Sequence, residues 1–406
     1  MLVGNTLRNS SRSINRQTLT MKIFKILYAL LALALVACYE PIPPAVVPDT
    51  SVASLGTPEN NEIWFTTTDG LDLTGLDGEA FGVAIEEIIF SEFGINTIRF
   101  AGRVTTVGEG AFRNCRNLFN ISLPNSVTTI GARAFYDCTN MECITLGNGL
   151  VECGREAFDN CISLNSLYIA GIASWCKIEF ANPTANPLYY AQRFIVNGKK
   201  PLNIAIPSSC ESIGSYSFYG YGTLAEVQIP ATLTRIGKYA FEECSNLKKV
   251  VVEDINAWCG IEFENERANP LSVAGALYKD GAVVSALSLE GVERVRERAF
   301  LNCTTITSLL SDEALQHIEL EAFRNCTALK TVSLSTSVKE IGARGFMGCL
   351  TLKSVNVMAT EPPVLGDNYV FDYNAEGRKI YIPSAAYEAY VADALWGEYA
   401  ESFEKR

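Results

Sequence analysis

A phenylalanine that usually follows alanine returns at a fixed interval along this chain, and that interval constrains the fold more than any other feature. Neighbouring members stand about 23 residues apart, and a period between 20 and 50 residues is typical of proteins built from stacked repeats. The eight members are Phe112, Phe135, Phe158, Phe218, Phe241, Phe300, Phe323 and Phe346. The spacing is longer at two places only, between Phe158 and Phe218 and between Phe241 and Phe300.

Each repeat carries the same apolar positions after its phenylalanine. A cysteine follows three residues later in seven of the eight repeats, with Tyr221 as the exception. Apolar residues then alternate, as at Ile121 and Leu123, which predicts a short strand before Pro124 breaks it. A single unit of this size cannot bury enough apolar surface to offset the entropy of ordering its backbone, so the units must stack on one another.

The segment 111–118, followed by Ile121-Ser122-Leu123-Pro124 and Ile130-Gly131, resembles the BspA-like class of leucine-rich repeats. The resemblance covers about 95–357, and the flanking segments 63–70 and 380–387 also resemble members of that family. It implies an α/β repeat solenoid, a right-handed array of coils of about 23 residues with short strands. It also implies export from an anaerobic bacterium or a parasite and, for several members, adhesion. It supplies no catalytic residues.

The pattern divides the chain into five segments. We predict a signal peptide over 1–37 with Met21 as the true start, a proline-rich tether over 38–60, an N-terminal cap over 61–100, the array over 101–357 and a C-terminal cap over 358–406. In the C-terminal cap we expect a strand over 379–382 and a helix with Ser384 as its N-cap. Tyr387, Val391 and Leu395 would share the buried face of that helix.

The two long intervals contain copies of one insertion, at about 170–206 and 253–289. Trp175 and Trp258 each stand seventeen residues after the preceding repeat phenylalanine. Asn197-Gly198 and Asp280-Gly281 also correspond, and such pairs favour the two-residue turn of a β-hairpin. We call these insertions the first and second arms. We expect each to bulge from the array and to carry a hairpin of the same shape on the same side.

The arms differ in side chains at matching positions. Tyr189, Tyr190 and Phe194 of the first arm correspond to Ser272, Val273 and Leu277 of the second. A structural role for the arms is the interpretation we favour, because the resembling family often carries the same widened unit. The hypothesis beside it is that these varied side chains on a repeated scaffold form part of a ligand surface. The candidate ligand-binding residues are Tyr189, Tyr190, Phe194 and Tyr278, and the two tryptophans, Trp175 and Trp258, are the expected anchors beneath them.

The start of the chain resembles a lipoprotein export signal. Lys22 and Lys25 precede an apolar run of twelve residues, 26–37, which is too short to cross about 30 Å of hydrocarbon. The run ends at Leu35-Val36-Ala37-Cys38, which resembles a lipobox and implies acylation of Cys38. An ordinary signal peptide is the alternative. We expect an exported protein, anchored in the outer membrane and facing either the periplasm or, as we favour, the cell surface.

Charge and residue types argue against several functional classes. The formal net charge of −12 opposes binding to nucleic acid. One histidine, His317, cannot form a histidine-based metal cluster, and none of the thirteen cysteines forms a C-x-x-C pair. No phosphate-binding loop or nucleotide motif occurs. We therefore expect no catalysis, no cofactor and no metal. The repeat cysteines could pair across adjacent coils, but we favour free, buried thiols.

Taken together, these features predict a non-enzymatic surface protein that binds macromolecules for adhesion or cell recognition. Its partner would be an extracellular protein or glycan. The alternative is a carbohydrate-binding accessory lipoprotein of a nutrient-uptake system, for which exposed tyrosines would be the platforms.

Lipidation at Cys38 gives the first testable prediction. A Cys38→Ala variant should leave the membrane fraction, because it would lack the acyl chains that anchor the wild-type protein, and more than one such chain is needed for stable residence in a bilayer. Mass spectrometry of the membrane-extracted wild-type protein should find an acylated Cys38 at the mature N-terminus. An unmodified N-terminus elsewhere would contradict the prediction.

Overall fold

The computed structural model describes residues 54–92 and 94–406, which belong to one unit over Asp49–Arg406. The predicted signal peptide, Cys38 and the tether as far as residue 53 lie outside the described residues.

The chain winds through coils, most of which contain one long and one short strand. The long strands are β5 (Leu118–Ser122), β7 (Cys143–Leu146), β9 (Ser166–Ile169), β11 (Arg193–Val196), β12 (Asn203–Ala205), β14 (Glu226–Ile229), β16 (Lys249–Val252), β18 (Leu277–Lys279), β20 (Ala286–Leu289), β22 (Ser308–Ser311), β24 (Thr331–Leu334), β26 (Ser354–Val357) and β28 (Lys379–Ile382). The short strands are β4 (Thr106–Val107), β6 (Thr129–Ile130), β8 (Glu152–Cys153), β10 (Glu179–Phe180), β13 (Ser212–Ile213), β15 (Arg235–Ile236), β17 (Glu262–Phe263), β21 (Arg294–Val295), β23 (His317–Ile318), β25 (Glu340–Ile341) and β27 (Val364–Leu365).

Further strands and short α-helices lie in the caps and arms. These strands are β1 (Glu62–Thr67), β2 (Ile85–Ile89), β3 (Asn96–Phe100), β19 (Ala282–Val283) and β29 (Phe403–Lys405). The helices are α1 (Ile172–Trp175), α2 (Ile255–Cys259), α3 (Leu271–Ala274) and α4 (Tyr387–Ala392). The predicted leucine-rich-repeat array is confirmed.

Neighbouring coils pair their long strands in parallel and in register, as in Ile121 opposite Ile144 and Ile144 opposite Leu167. In the described part of the chain the long strands form three sheets, in the orders β11-β9-β7-β5-β1-β3-β2, β12-β14-β16-β18-β19 and β20-β22-β24-β26-β28-β29. The short strands of the same ranges form three more, β10-β8-β6-β4, β13-β15-β17 and β21-β23-β25-β27. The breaks between sheets fall at the two arms.

The repeat phenylalanines stack along the interior. Phe112, Phe135 and Phe158 have ring centroids 5.0 Å apart and nearly parallel planes. The stack continues past Phe346 to Phe371 at 5.6 Å, which the sequence pattern missed because this last step is longer than the regular interval. Aromatic rings in contact add to the stability that burial alone provides.

The repeat cysteines are free and buried, as are all twelve cysteines of the described ranges, Cys143, Cys176 and Cys259 included. The Cys138 thiol donates to the carbonyl oxygen of Phe112 in the preceding coil at 3.0 Å. Cys161, Cys244, Cys326 and Cys349 make the same bond at 3.1 to 3.2 Å. A small apolar side chain with a weak donor therefore suits this position.

The extra residues of each arm form a further coil, so the expected bulge is wrong. In the first arm, α1, β10 and β11 follow β9 in the order of an ordinary coil, and β11 pairs with β9 with Phe194 opposite Leu167. In the second arm, α2, β17, α3 and β18 do the same beside β16. An inserted coil continues the pairing of both strand layers from the preceding coil into the arm, and each sheet ends after it.

Each arm ends in the predicted two-residue turn. Asn197 and Gly198 have φ of 49° and 73°, and Asp280 and Gly281 have φ of 51° and 76°. Positive φ at both central residues is the geometry that Asn-Gly and Asp-Gly favour in hairpins. The hairpins differ in extent, because the first has the isolated bridge Val196–Lys199, whereas β18 and β19 form two antiparallel pairs.

A tryptophan and an asparagine join each arm to the next coil. The indole N–H of Trp175 and the Asn186 side-chain amide both donate to the carbonyl oxygen of Ser217, at 2.9 and 3.1 Å. Trp258 and Asn269 bind the carbonyl oxygen of Ala299 in the same way, at 2.9 and 3.2 Å. Each of these carbonyls immediately precedes a repeat phenylalanine. All four side chains are buried.

The caps close the stack. At the start, β1 pairs antiparallel with β3 and β5. At the end, the expected strand over 379–382 is β28, which pairs with β29. The N-cap assignment for Ser384 is wrong, because its hydroxyl donates to the carbonyl oxygen of Arg406 and the N-cap of α4 is Ala386.

The expected face of α4 is correct in part, because Tyr387 and Leu395 are partly buried against the core. Val391 is exposed, whereas Tyr390 and Trp396 are buried. Tyr390 and Trp396 are buried because their rings pack against each other and their polar atoms donate hydrogen bonds to the carbonyls of Ala359 and Pro363.

The buried amide of Asn269 gives a stability prediction. Asn269→Ala should lower the free energy of unfolding by about 1–3 kcal/mol, because the buried N–H of Leu271 loses its partner and the carbonyls of Arg298 and Ala299 each lose one of two hydrogen bonds. Denaturant unfolding would measure the change. The control is Asn256→Ala, an exposed asparagine with one bond to a backbone carbonyl, which should cost less than about 1 kcal/mol. Equal losses would contradict the prediction.

Candidate functional site

Five tyrosines cluster where the first arm meets the next two coils, and we call them the tyrosine surface: Tyr189, Tyr190, Tyr216, Tyr219 and Tyr239. Tyr189 lies 4.9 Å from Tyr190 and 6.0 Å from Tyr219 between ring centroids. The Tyr216 ring lies between those of Tyr219 and Tyr239, with centroid distances of 5.8 Å and 5.2 Å. The rings therefore form one continuous aromatic patch.

The backbone around each repeat phenylalanine displays these side chains. The residues two before and two after every repeat phenylalanine have positive φ, as at Arg133 and Asp137 with 55° and 62°. Tyr216 and Tyr239 occupy the first of these positions in consecutive coils, with φ of 59° and 58°. A non-glycine residue in this region costs roughly 1–2 kcal/mol, so two bulky aromatics are placed there at the expense of stability.

The first arm supplies the other end of the patch. The turn Pro187–Tyr189 begins at Asn186, whose side-chain oxygen accepts from the backbone N–H of Leu188 at 2.8 Å. This turn leaves Tyr189 exposed over 43% of its surface. Tyr239 at the opposite end is 37% exposed. The two ends are thus accessible to a partner.

The inner tyrosines are held by hydrogen bonds. The Tyr190 hydroxyl accepts from the backbone N–H of Asn160 at 3.0 Å and lies 3.2 Å from the Asp159 carboxylate. Burial raises the pKa of Tyr190 to about 12, and the Asp159 charge acts in the same direction. The Tyr219 hydroxyl donates to Glu243 at 3.0 Å, and burial likewise raises its pKa to about 12. Both phenols therefore stay protonated at neutral pH.

The structure separates the four residues that the sequence proposed as ligand-binding. Tyr189 and Tyr190 lie in the tyrosine surface. Phe194 does not belong to a binding surface, because it is fully buried and packs against Trp175 and Tyr221. Tyr278 is half-buried on the long-strand side, with the Lys249 ammonium 5.3 Å from its ring centroid. The expected anchors, Trp175 and Trp258, are buried as described above.

Sequence reasoning missed Tyr216, Tyr219 and Tyr239 because it searched the arms and treated the ordinary repeats as scaffold. The signal that the sequence offered was the position of these tyrosines within the repeat. Tyr216 and Tyr239 stand two before a repeat phenylalanine, where other coils carry glycine, arginine or glutamate, and Tyr219 stands one after. Stacking then brings these positions beside the first arm.

Other chemistry is sparse in the part of the chain that the structure describes. His317 lies on a short strand between Arg294 and Glu340, with its Nδ1 3.1 Å from the Glu340 carboxylate. Within residues 54–92 and 94–406, no group of three or more metal-ligating side chains is placed to hold an ion. No helix within those same ranges is long and apolar enough to cross a bilayer.

Comparison with protein families matches a model described as BspA type leucine rich repeat region, in 6 copies over residues 83–185, 194–265 and 286–389. A comparison with curated proteins finds no match. Among solved structures, a leucine-rich repeat protein from Bacteroides ovatus is 20% identical, over 79% of this chain and 91% of that chain, with a TM-score of 0.32. A leucine rich cell surface protein from Faecalibacterium prausnitzii is 19% identical, over 82% and 90%, with a TM-score of 0.36.

The two tyrosines of the first arm should differ in their contribution to stability. Tyr190→Phe should lower the free energy of unfolding by about 0.5–1.5 kcal/mol, because the Asn160 N–H and the partly buried Asp159 carboxylate lose a hydrogen bond. Tyr189→Phe removes an exposed hydroxyl and should change stability by no more than about 0.5 kcal/mol. Chemical denaturation of the pair would show the difference, and an equal effect would mean that Tyr190 is not a structural residue.

Proposed function

Because the chain belongs to the BspA-type leucine-rich repeat family, whose members have a general binding role at the cell surface, we propose that it is a non-enzymatic, lipid-anchored adhesion or recognition protein. Its partner is a macromolecule of a host or a neighbouring cell. Anchoring through Cys38 in the outer membrane is part of this proposal.

The tyrosine surface is the observation that carries the proposal. Tyrosine supplies a large, rigid contact area with a polar edge and loses little conformational entropy on binding. It is also enriched among residues that dominate the binding energy of interfaces. Five such rings in mutual contact, with exposed members at both ends, suit the centre of an interface better than a solvated face.

The position of the patch supports the same role. Its residues come from the first arm and from two ordinary coils, so the partner would contact a surface that stacking holds rigid. A rigid surface avoids most of the entropy cost of ordering loops on binding. The arm then serves as a structural coil that adds Tyr189 and Tyr190 to the flank of the array.

A carbohydrate-binding accessory role in nutrient uptake is the second candidate. The polar cleft that adjoins Tyr239 favours it, because planar charged side chains surround a space next to exposed rings. Both candidates use the tyrosine surface and differ in the partner.

Adhesion of cells that display the full-length protein tests the proposal. Cells with the wild-type protein should adhere to immobilised mucin glycoprotein or to mixed extracellular-matrix proteins. The double variant Tyr189→Ala/Tyr239→Ala should reduce adhesion about tenfold or more, since loss of an aromatic ring that a partner buries costs roughly 2 kcal/mol. Protease shaving of intact cells would verify equal surface display.

The matched control is Tyr369→Ala/Tyr373→Ala, which removes two exposed tyrosines from the C-terminal cap. It should leave adhesion unchanged. Adhesion no greater than that of cells without the protein, or equal losses in the two double variants, would contradict the proposed function. Turnover of ester or glycoside reporters by the purified protein would contradict its non-enzymatic part.

A further inference from the structure

A cleft of about 660 Å³ adjoins the tyrosine surface at Tyr239. The second arm contributes Glu266 and Arg267 to one wall, and the coils of Phe300, Phe323 and Phe346 contribute Arg298, Arg324 and Arg344 to the other. Its volume lies in the range of about 300–1,000 Å³ that is usual for ligand sites. The cleft and the tyrosines therefore form one continuous surface.

A buried carboxylate fixes the arginines of this cleft. Glu321 is bonded by Arg298, Arg324 and Arg344 at 2.9, 2.8 and 3.2 Å. Burial opposes ionisation of Glu321, but the guanidinium of Arg298 and the charge of Arg324 hold its pKa below the usual value. Three planar guanidinium groups are thus pre-oriented around one point, which reduces the cost of binding.

The charges of the cleft balance. Four arginines and four glutamates line it, the glutamates being Glu242, Glu264, Glu266 and Glu321. Arg267 pairs with Glu242 at 3.3 Å, and Arg235 outside the cleft pairs with Glu264. An anion or a cation would therefore find no net attraction, whereas a neutral molecule with many hydroxyl groups would find donors and acceptors side by side.

Two buried polar atoms in these walls lack a partner. Among the residues that the structure describes, Glu242 Oε2 accepts no hydrogen bond and the Arg324 Nε–H donates none. A buried polar atom without a partner costs about 1–3 kcal/mol and calls for an explanation. Both side chains line the cleft, so rotation of the carboxylate or the guanidinium on binding would turn its unpaired atom toward a ligand hydroxyl, which can donate to the first or accept from the second.

The adjoining aromatic rings complete the chemistry. Tyr239 stacks on Tyr216 at 5.2 Å and borders the cleft. A sugar ring has C–H groups on its faces and hydroxyls around its edge, so it packs a face against an aromatic ring while its edge bonds to planar polar groups. The arrangement of rings beside charged, planar side chains matches both parts.

We propose that the cleft and the adjoining tyrosines bind a neutral oligosaccharide, with a sugar face on Tyr239 and sugar hydroxyls on Glu242 and Arg324. This inference rests on the proposed recognition function and specifies its partner as a glycan.

Titration calorimetry of the full-length protein in detergent tests the inference. The probes are neutral hexasaccharides of glucose, mannose and galactose, together with sulfated and carboxylated forms of the same sugars. At least one neutral hexasaccharide should bind, and its charged forms should bind no more tightly. Tyr239→Ala and Glu242→Gln should each raise the dissociation constant about tenfold or more.

The matched controls are Tyr373→Ala and Glu152→Gln, which alter exposed side chains outside the cleft and should leave the dissociation constant unchanged. Binding that both cleft variants leave intact, or tighter binding of the charged sugars, would overturn the inference. Binding of no neutral sugar, with adhesion that still depends on Tyr189 and Tyr239, would overturn it while the recognition function stands with a protein partner. A wild-type protein that neither supports adhesion nor binds any neutral sugar would contradict the inference and the proposed function.

Discussion

Every coil of this protein depends on backbone hydrogen bonds that its neighbours supply. The N–H of Phe112 donates to the carbonyl of Ala134 in the next coil at 2.7 Å, and Ile121, Ile144 and Leu167 stand in register across three strands. A coil alone would leave these groups unpaired at both edges, which is too costly in a buried setting. The fixed step between repeat phenylalanines is the sequence consequence, because each layer must be reached after the same length of chain.

The arms obey the same constraint. A long insertion survives in a stacked array when it supplies a strand to each layer, and both arms do so before they end in hairpins. The phenylalanine stack is interrupted there, and Trp175 and Trp258 each bind the carbonyl that precedes the phenylalanine of the next coil. The tryptophans therefore reconnect the array across the additional coil, and the tyrosine surface lies on its flank.

Display of side chains on that flank follows from the backbone. The left-handed residues on both sides of each repeat phenylalanine turn the chain sharply, and the position two before it accepts glycine, arginine, glutamate or tyrosine. The array can thus carry tyrosines at Tyr216 and Tyr239 and arginines at Arg298 and Arg344 without change to its interior. The side chains that build the interior and those displayed on the flank therefore stand at separate positions of the same repeat.

The sequence by itself determined the period, the strands, the buried phenylalanines and cysteines, and both hairpin turns, since each depends on local spacing or on turn residues that need positive φ. The sequence predicted Phe194 at the surface, because alternation alone does not tell which face of a new coil is covered. It predicted Ser384 as a helix N-cap from residue type alone. Tertiary structure decided that the arms are coils and that tyrosines from the first arm and two ordinary repeats form one patch. It also brought Glu242 and Arg324, which are far apart in the chain, to the same cleft. Only stacking sets these neighbours, because residues in adjacent coils come within contact distance whatever their separation in sequence.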